Sequence, residues 1–245
     1  MKKIIATAFA ALSATFLITP IAANAQAPTK VVSNGIKISF GAANPSQYCT
    51  LGPVGFDAQG NNVGITAAHC LSAPDDWRGV ELPEDRAAQA TVWDANDPGH
   101  GPIGNINFVS ANQRTADYLV IDFNDTVSLS SNGPHLRVDS IAPCDQPFVN
   151  PFHPAGYIAT SGQTTGLTPG IVTARPEGMI RSWAVKWRGD SGGPIVVNGT
   201  TKWAGITSRI ELNVTGPWTD TSACNILNDL NSRNVTGTGF APVNN

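Results

Sequence analysis

Along most of the chain, apolar residues fall in short runs, some alternating with polar ones, and seldom at the three- and four-residue spacing of a helix. Ile36–Phe40, Val63–Ala67, Gln89–Trp93, Ile103–Val109 and Tyr118–Phe123 are rich in β-branched or aromatic residues and read as strands. Turn clusters separate them: Gln59-Gly60-Asn61-Asn62, Asp97-Pro98-Gly99 and Asn124-Asp125. A polar stretch, Ser128–Pro134, interrupts the pattern. A second set follows at Gly156–Thr160, Gly170–Ala174, Met179–Val185, Pro194–Val197 and Trp203–Thr207. The one helix predicted is Ala223–Ser232, where Ile226, Leu227 and Leu230 share a face and Thr221 or Ser222 is placed to cap it. The pattern predicts an all-β chain in two halves, joined near residues 124–140, with a terminal helix. Closing each half into a barrel would remove its exposed strand edges.

Composition sharpens this picture. In 245 residues, 24 glycines and 18 prolines suit many strands joined by turns, and 41% apolar residues are enough to fill a core. A net charge of −3 supplies no basic excess for nucleic acid or an anionic membrane. The first residues stand apart. Lys2 and Lys3 precede an apolar run from Ile4 to about Ile18, and Ala23-Asn24-Ala25 offers small residues at a cleavage site. Residues 1–25 therefore read as a signal peptide cut after Ala25, and the rest as an exported protein whose four cysteines can form two disulfides.

Candidate chemistry concentrates in Gly189-Asp190-Ser191-Gly192-Gly193-Pro194. A serine hydroxyl needs a base, a group to orient that base, and donors for the oxyanion that develops. Glycines around it admit substrate and free backbone N–H groups to point at that oxyanion. As an ordinary glycine-rich turn this string would arise in roughly one chain in 10⁵ of this length. It also fits the nucleophile elbow of α/β-hydrolases, but those place the histidine after the serine, and here His69, His100, His135 and His153 all precede Ser191. His69, in Ile65-Thr66-Ala67-Ala68-His69-Cys70 at the end of an apolar strand, is the candidate base. The other three lie in turns or beside prolines.

Thr66-Ala67-Ala68-His69-Cys70 together with Gly189–Pro194 resembles the chymotrypsin-like serine proteases, and Gly162-Gln163-Thr164-Thr165-Gly166, Gly178-Met179-Ile180-Arg181 and Cys49-Thr50-Leu51-Gly52 resemble segments of the bacterial, streptogrisin-like branch. The likeness spans roughly residues 35–240. It implies two antiparallel β-barrels, 35–127 and 128–240, the second carrying the helix, with the active site between them. Residues 26–34 form an N-terminal segment or short propeptide. It implies a triad of His69, Ser191 and an Asp lying between them in sequence. Asp117, in Thr115-Ala116-Asp117-Tyr118-Leu119-Val120, fits best, ahead of Asp122, Asp94, Asp125 and Asp139. It further implies an oxyanion hole from the N–H groups of Gly189 and Ser191, disulfides Cys49–Cys70 and Cys144–Cys224, no metal or organic cofactor, and a monomer acting on peptide or protein substrates.

Departures from the family bear on specificity and activation. Val185 is expected at or beside the floor of the specificity pocket, and Ser208, Arg209 and Ile210 along the strand that pairs with substrate. Ile210 would narrow the entrance, and Val185 and Trp187 stand where a bracing cysteine is expected, so a small or modest apolar residue before the scissile bond is anticipated. Asp190 is expected to be buried and to need a cation. A new N-terminus created after Lys30 or an internal arginine (Arg175, Arg181 or Arg188) are the candidates for that role. Beside a secreted endopeptidase, the sequence leaves open a weakly active or inactive binding protein of this fold, or an esterase.

Overall fold

The computed structural model describes residues 30–87, 90–144, 156–209 and 217–245. The signal-peptide segment, Gln89, His153 and Ile210 lie outside the described residues. The described residues form two large sheets, a two-stranded parallel one and a C-terminal helix. The first sheet has eight antiparallel strands in the order Ala241–Pro242, Val54–Phe56, Asn62–Thr66, Leu119–Phe123, Pro102–Val109, Thr91–Asp94, Lys37–Phe40 and Cys49–Thr50. The second orders Ser140–Ile141, Lys202–Arg209, Pro194–Val197, Tyr157–Gly162, Gly166–Ala174, Ile180–Ser182 and Trp218–Ser222. Trp218–Ser222 pairs again with Lys202–Arg209, so the sheet closes on itself.

The second half closes through its strand ladder. In the first, the chain running from Cys49–Thr50 into Val54–Phe56 links the two ends of the sheet, with the Leu51 N–H on the Ile36 carbonyl at 2.9 Å and the Gly52 N–H on the Ile65 carbonyl at 2.8 Å. The first sheet curls into a half-barrel around Ile38, Leu51, Val92, Ile103, Ile106 and Leu119. Its edge strands, Cys49–Thr50 and Ala241–Pro242, are two residues each and leave few backbone groups unpaired.

The polar stretch after residue 127 is also more ordered than its composition suggested. Val127–Ser130 is a strand, paired in parallel with Lys30–Ser33, and buries Val127 and Leu129 while its serines are half-buried. Two-residue alternation was present there, but serine is a weak strand former and masked it. The 127/128 boundary anticipated between the halves thus falls inside a strand. The chain also returns to the first sheet after the helix, where Val243 is buried in that core.

A second apolar cluster fuses the halves. Val63, Ile65, Phe108, Tyr118 and Val120 from the first meet Val196, Trp203, Ile206, Ile226 and Leu230 from the second, and burying this apolar face fixes one half against the other. The helix, Ala223–Arg233, begins at Ser222, whose side chain accepts the Asn225 N–H at 3.1 Å, and ends at Asn234 in a left-handed conformation. Its buried Ile226 and Leu230 lie one turn apart on the inward face. Disulfides join Cys49 to Cys70 and Cys144 to Cys224, as the resemblance implies. Among the described residues, no helix is long and apolar enough to cross a membrane.

Candidate active site

Strand Asn62–Thr66 delivers His69 through a single 3₁₀ turn, Ala68–Cys70, and the neighbouring strand Leu119–Phe123 is preceded by Asp117. Pairing Thr66 with Leu119 brings these two ends together. Asp117 is 2% exposed and accepts the His69 backbone N–H on Oδ1 at 3.0 Å and His69 Nδ1 on Oδ2 at 2.6 Å. Oδ2 also accepts the Ser208 hydroxyl at 2.6 Å. Burial pushes the Asp117 carboxyl up, but the hydrogen bond and attraction to His69, with the Ser208 bond, more than offset it and hold the group below the usual carboxylate range. With its proton on Nδ1, facing Asp117, His69 leaves Nε2 to accept from Ser191 Oγ, 2.8 Å away. Asp122, the nearest sequence rival, lies on the same strand beside Asp57, Asp125 and Glu81, where burial first and then these carboxylates push its pKa up.

The segment carrying Ser191 is gripped from both halves. Thr50, in the first sheet, donates its hydroxyl to the Gly189 carbonyl at 2.7 Å and its N–H to the Ser191 carbonyl at 2.8 Å. Thr164, in the turn of the second-barrel hairpin, donates its hydroxyl to the Arg188 carbonyl at 2.7 Å. With those carbonyls engaged, the N–H groups of Gly189 and Ser191 have no protein acceptor among the described residues. Gly189 (φ 95°) and Gly192 (φ 85°) adopt backbone that favours glycine, and a Cβ on Gly192 would run into Thr66 Oγ1. A cleft of about 940 Å³ opens over the site, lined by Phe40 and Tyr48 from the first half, Arg188, Gly189 and Ser208 from the second, and His69 and Ser191 between them.

Asp190 is buried, as anticipated, but not paired as anticipated. Its Oδ1 accepts the N–H groups of Thr164 and Thr165 at 2.8 and 3.1 Å, and its Oδ2 accepts the Thr165 hydroxyl and the Trp187 N–H at 2.8 and 2.7 Å. No lysine or arginine forms an ion pair with it among the described residues. Lys186 attracts it through space. Four aimed donors stabilise a carboxylate as a bonded cation would. Lys30, the residue before the suggested new N-terminus, instead bridges Asp94 and Asp97, at 2.7 Å each.

Of the residues expected to contact substrate, Ser208 lines the cleft. Val185 does not: the residue is 65% exposed, and its neighbours Ala184 and Lys186 are buried. The phase of this segment is set by Lys186, whose ammonium meets Asp220 in an ion pair that is buried at both ends. Ile210 and the Arg209 side chain lie outside the described residues. Sequence reasoning gave no role to Thr50, Thr164, Thr165, Lys186 or Asp220. The threonines carry no signal of their own, but a lone lysine among the apolar residues Trp183–Trp187 was visible.

No protein-family model matches this chain, and no curated protein does. The fold is nonetheless shared with solved bacterial enzymes. Thermobifida fusca protease A is 17% identical, over 88% of this chain and 100% of its own, with a TM-score of 0.56. Nocardiopsis protease is 23% identical over 84% and 98%, at 0.54, and the Cellulomonas bogoriensis chymotrypsin is 22% identical over 84% and 97%, at 0.53. The chain thus has the chymotrypsin-like fold. Within that fold its likeness is to the proteases of bacteria.

Proposed function

We propose that this chain is a secreted serine endopeptidase that works through His69, Asp117 and Ser191. The observation that carries the reading is one continuous line of short hydrogen bonds, Ser191 Oγ to His69 Nε2 at 2.8 Å and His69 Nδ1 to Asp117 Oδ2 at 2.6 Å, opening on a cleft. In the mechanism this supports, Ser191 Oγ attacks a peptide carbonyl as its proton passes to His69 Nε2. The carbonyl π pair moves onto oxygen, and the N–H groups of Gly189 and Ser191 receive that oxyanion. Asp117 stabilises the imidazolium without taking its proton. The tetrahedral adduct collapses, the C–N bond breaks, and His69 protonates the leaving amine. Water, deprotonated by His69, then attacks the acyl-Ser191 ester by the same route and releases the acid. Export is supported by the leading apolar segment and the two disulfides.

The preference proposed is for a small or modest apolar residue before the scissile bond. The buried charges next to the nucleophile are already engaged: Asp220 with Lys186, and Asp190 with four donors. Neither carboxylate is left to meet a basic substrate side chain. A fluorophosphonate probe tests the activated serine, with labelling expected in the wild-type chain and absent in Ser191→Ala. Turnover of a peptide library, against matched esters, then tests the reaction and the preference. Ester turnover without peptide cleavage, or cleavage confined to Lys and Arg sites, would defeat the corresponding part.

A further inference from the structure

Lys186 and Asp220 form an ion pair whose side chains are 1% and 0% exposed. Stripping both of water is costly, and mutual attraction only roughly repays it, so a pair of apolar side chains would pack here as well or better. Two apolar residues could not do what the second carboxylate oxygen does. The ladder between Lys202–Arg209 and Trp218–Ser222 is irregular between Ile206 and Arg209. At that irregularity the N–H of Ser208 goes to Asp220 Oδ1, at 3.2 Å, rather than to a strand carbonyl. Lys186 holds the other oxygen, Oδ2, and so fixes which way the carboxylate faces. Ser208 then donates its hydroxyl to the Asp117 oxygen that also accepts from His69 Nδ1. On the other arm, the residue after Lys186, Trp187, donates its N–H to Asp190, which precedes Ser191.

We propose that Lys186 and Asp220 are positioning residues, a buried clasp that seats Ser208 and, through it, orients Asp117 and His69 relative to the nucleophile segment. The consequence for rate rests on the peptidase reading above. The geometry of the clasp does not. Burial pushes the Lys186 ammonium down and the Asp220 carboxyl up, each only partly countered by the other, which marks the site as one where charge is maintained at a cost.

The test is a cycle between the near-isosteric double change Lys186→Met with Asp220→Asn and the change Ser208→Ala, in the full chain. The probes are the rate of fluorophosphonate labelling and the proton resonance of the His69 Nδ1–H. In the wild-type background the double change is expected to slow labelling about 10-fold and shift the resonance. In the Ser208→Ala background the same change should cost less than 2-fold and leave the resonance in place, because the residue it acts through is gone. Equal losses in both backgrounds, or an unmoved resonance in the first, would overturn the proposal. Should the double variant not fold, Asp220→Asn alone enters the same cycle with the same outcomes. A wild-type chain that takes no label would defeat the peptidase reading, while the resonance would still decide on the clasp.

Discussion

Asp190 lies beside Ser191 and is held by four neutral donors, so replacing it with asparagine changes charge and donor pattern at constant shape. If the amide keeps its oxygen toward Thr164 and Thr165, two bonds survive, weakened because the acceptor is no longer charged, at a loss of about 1 kcal/mol each. Its NH₂ then faces the Thr165 hydroxyl, which can rotate to accept, and the Trp187 N–H, which cannot. Leaving that N–H without an acceptor costs about 1–3 kcal/mol. Flipping the amide sets NH₂ against two backbone donors and is worse. Asp190→Asn is therefore expected to lower stability by about 4 kcal/mol, and Thr165→Val, which removes one bond to a charged acceptor, by about 2 kcal/mol. Urea unfolding measures both. Because Asp190 N–H also bonds the Trp187 carbonyl and its own carbonyl accepts from Gly193, the loosened turn should misplace an oxyanion donor and slow fluorophosphonate labelling by about 10²-fold or more in Asp190→Asn. Cutting after Lys30 should change neither quantity, since no terminal ammonium is needed to satisfy this carboxylate. Asp190→Asn within 0.5 kcal/mol (roughly the scatter of neutral surface changes) of the wild type, or activity appearing only after the cut, would refute the reasoning.

Three further outcomes follow from the site and its frame. Asp117→Asn should leave His69 with the wrong tautomer toward Ser191 and reduce peptide turnover on the order of 10⁴-fold, measured at neutral pH. The Asp117 carboxyl is held below its ordinary value, so it contributes stability that is full above the unfolded carboxylate range, near pH 4, and is lost as pH falls through the lowered folded value. Urea midpoints measured down the acid limb should fall less steeply in Asp117→Asn than in the wild type. Replacing the cysteine pairs by alanine should cost about 3 kcal/mol for Cys49–Cys70, with a sequence separation of 21, and about 4.5 kcal/mol for Cys144–Cys224, with a separation of 80, if loop entropy governs. The opposite ranking in denaturant unfolding would assign the difference to packing.

What the sequence made legible was what depends on local pattern. The β-branched runs at Val63–Ala67 and Tyr118–Phe123 read as strands, and the structure has them at Asn62–Thr66 and Leu119–Phe123. The helix at Ala223–Ser232 follows from one apolar stripe and a capping serine, and extends one residue further. His69, Asp117 and Ser191 were distinguishable from rivals by their flanks and order, and the fold sets His69 between the other two, within hydrogen-bond reach of each. What remained illegible depends on contacts distant in sequence. Nothing near Asp190 says that its donors come from Thr164 and Thr165, because a backbone N–H has no sequence signature. Nothing in the polar run after Val127 says that Lys30–Ser33 lies alongside it.

The segment from Trp183 to Trp187 shows why period and phase are separate problems. Its two-residue alternation was readable, and hydropathy alone would bury Trp183, Val185 and Trp187 and expose the lysine between them. The structure does the reverse, leaving those three half or more exposed and burying Lys186. Turning the segment over would bury more apolar surface but would strand Asp220 in the interior without its cation, and breaking a buried pair in that way is strongly destabilising. The phase thus goes with a partner 34 residues away, and the same choice that sends Val185 outward also bridges the segment leading to Ser191 to the strand bearing Asp220.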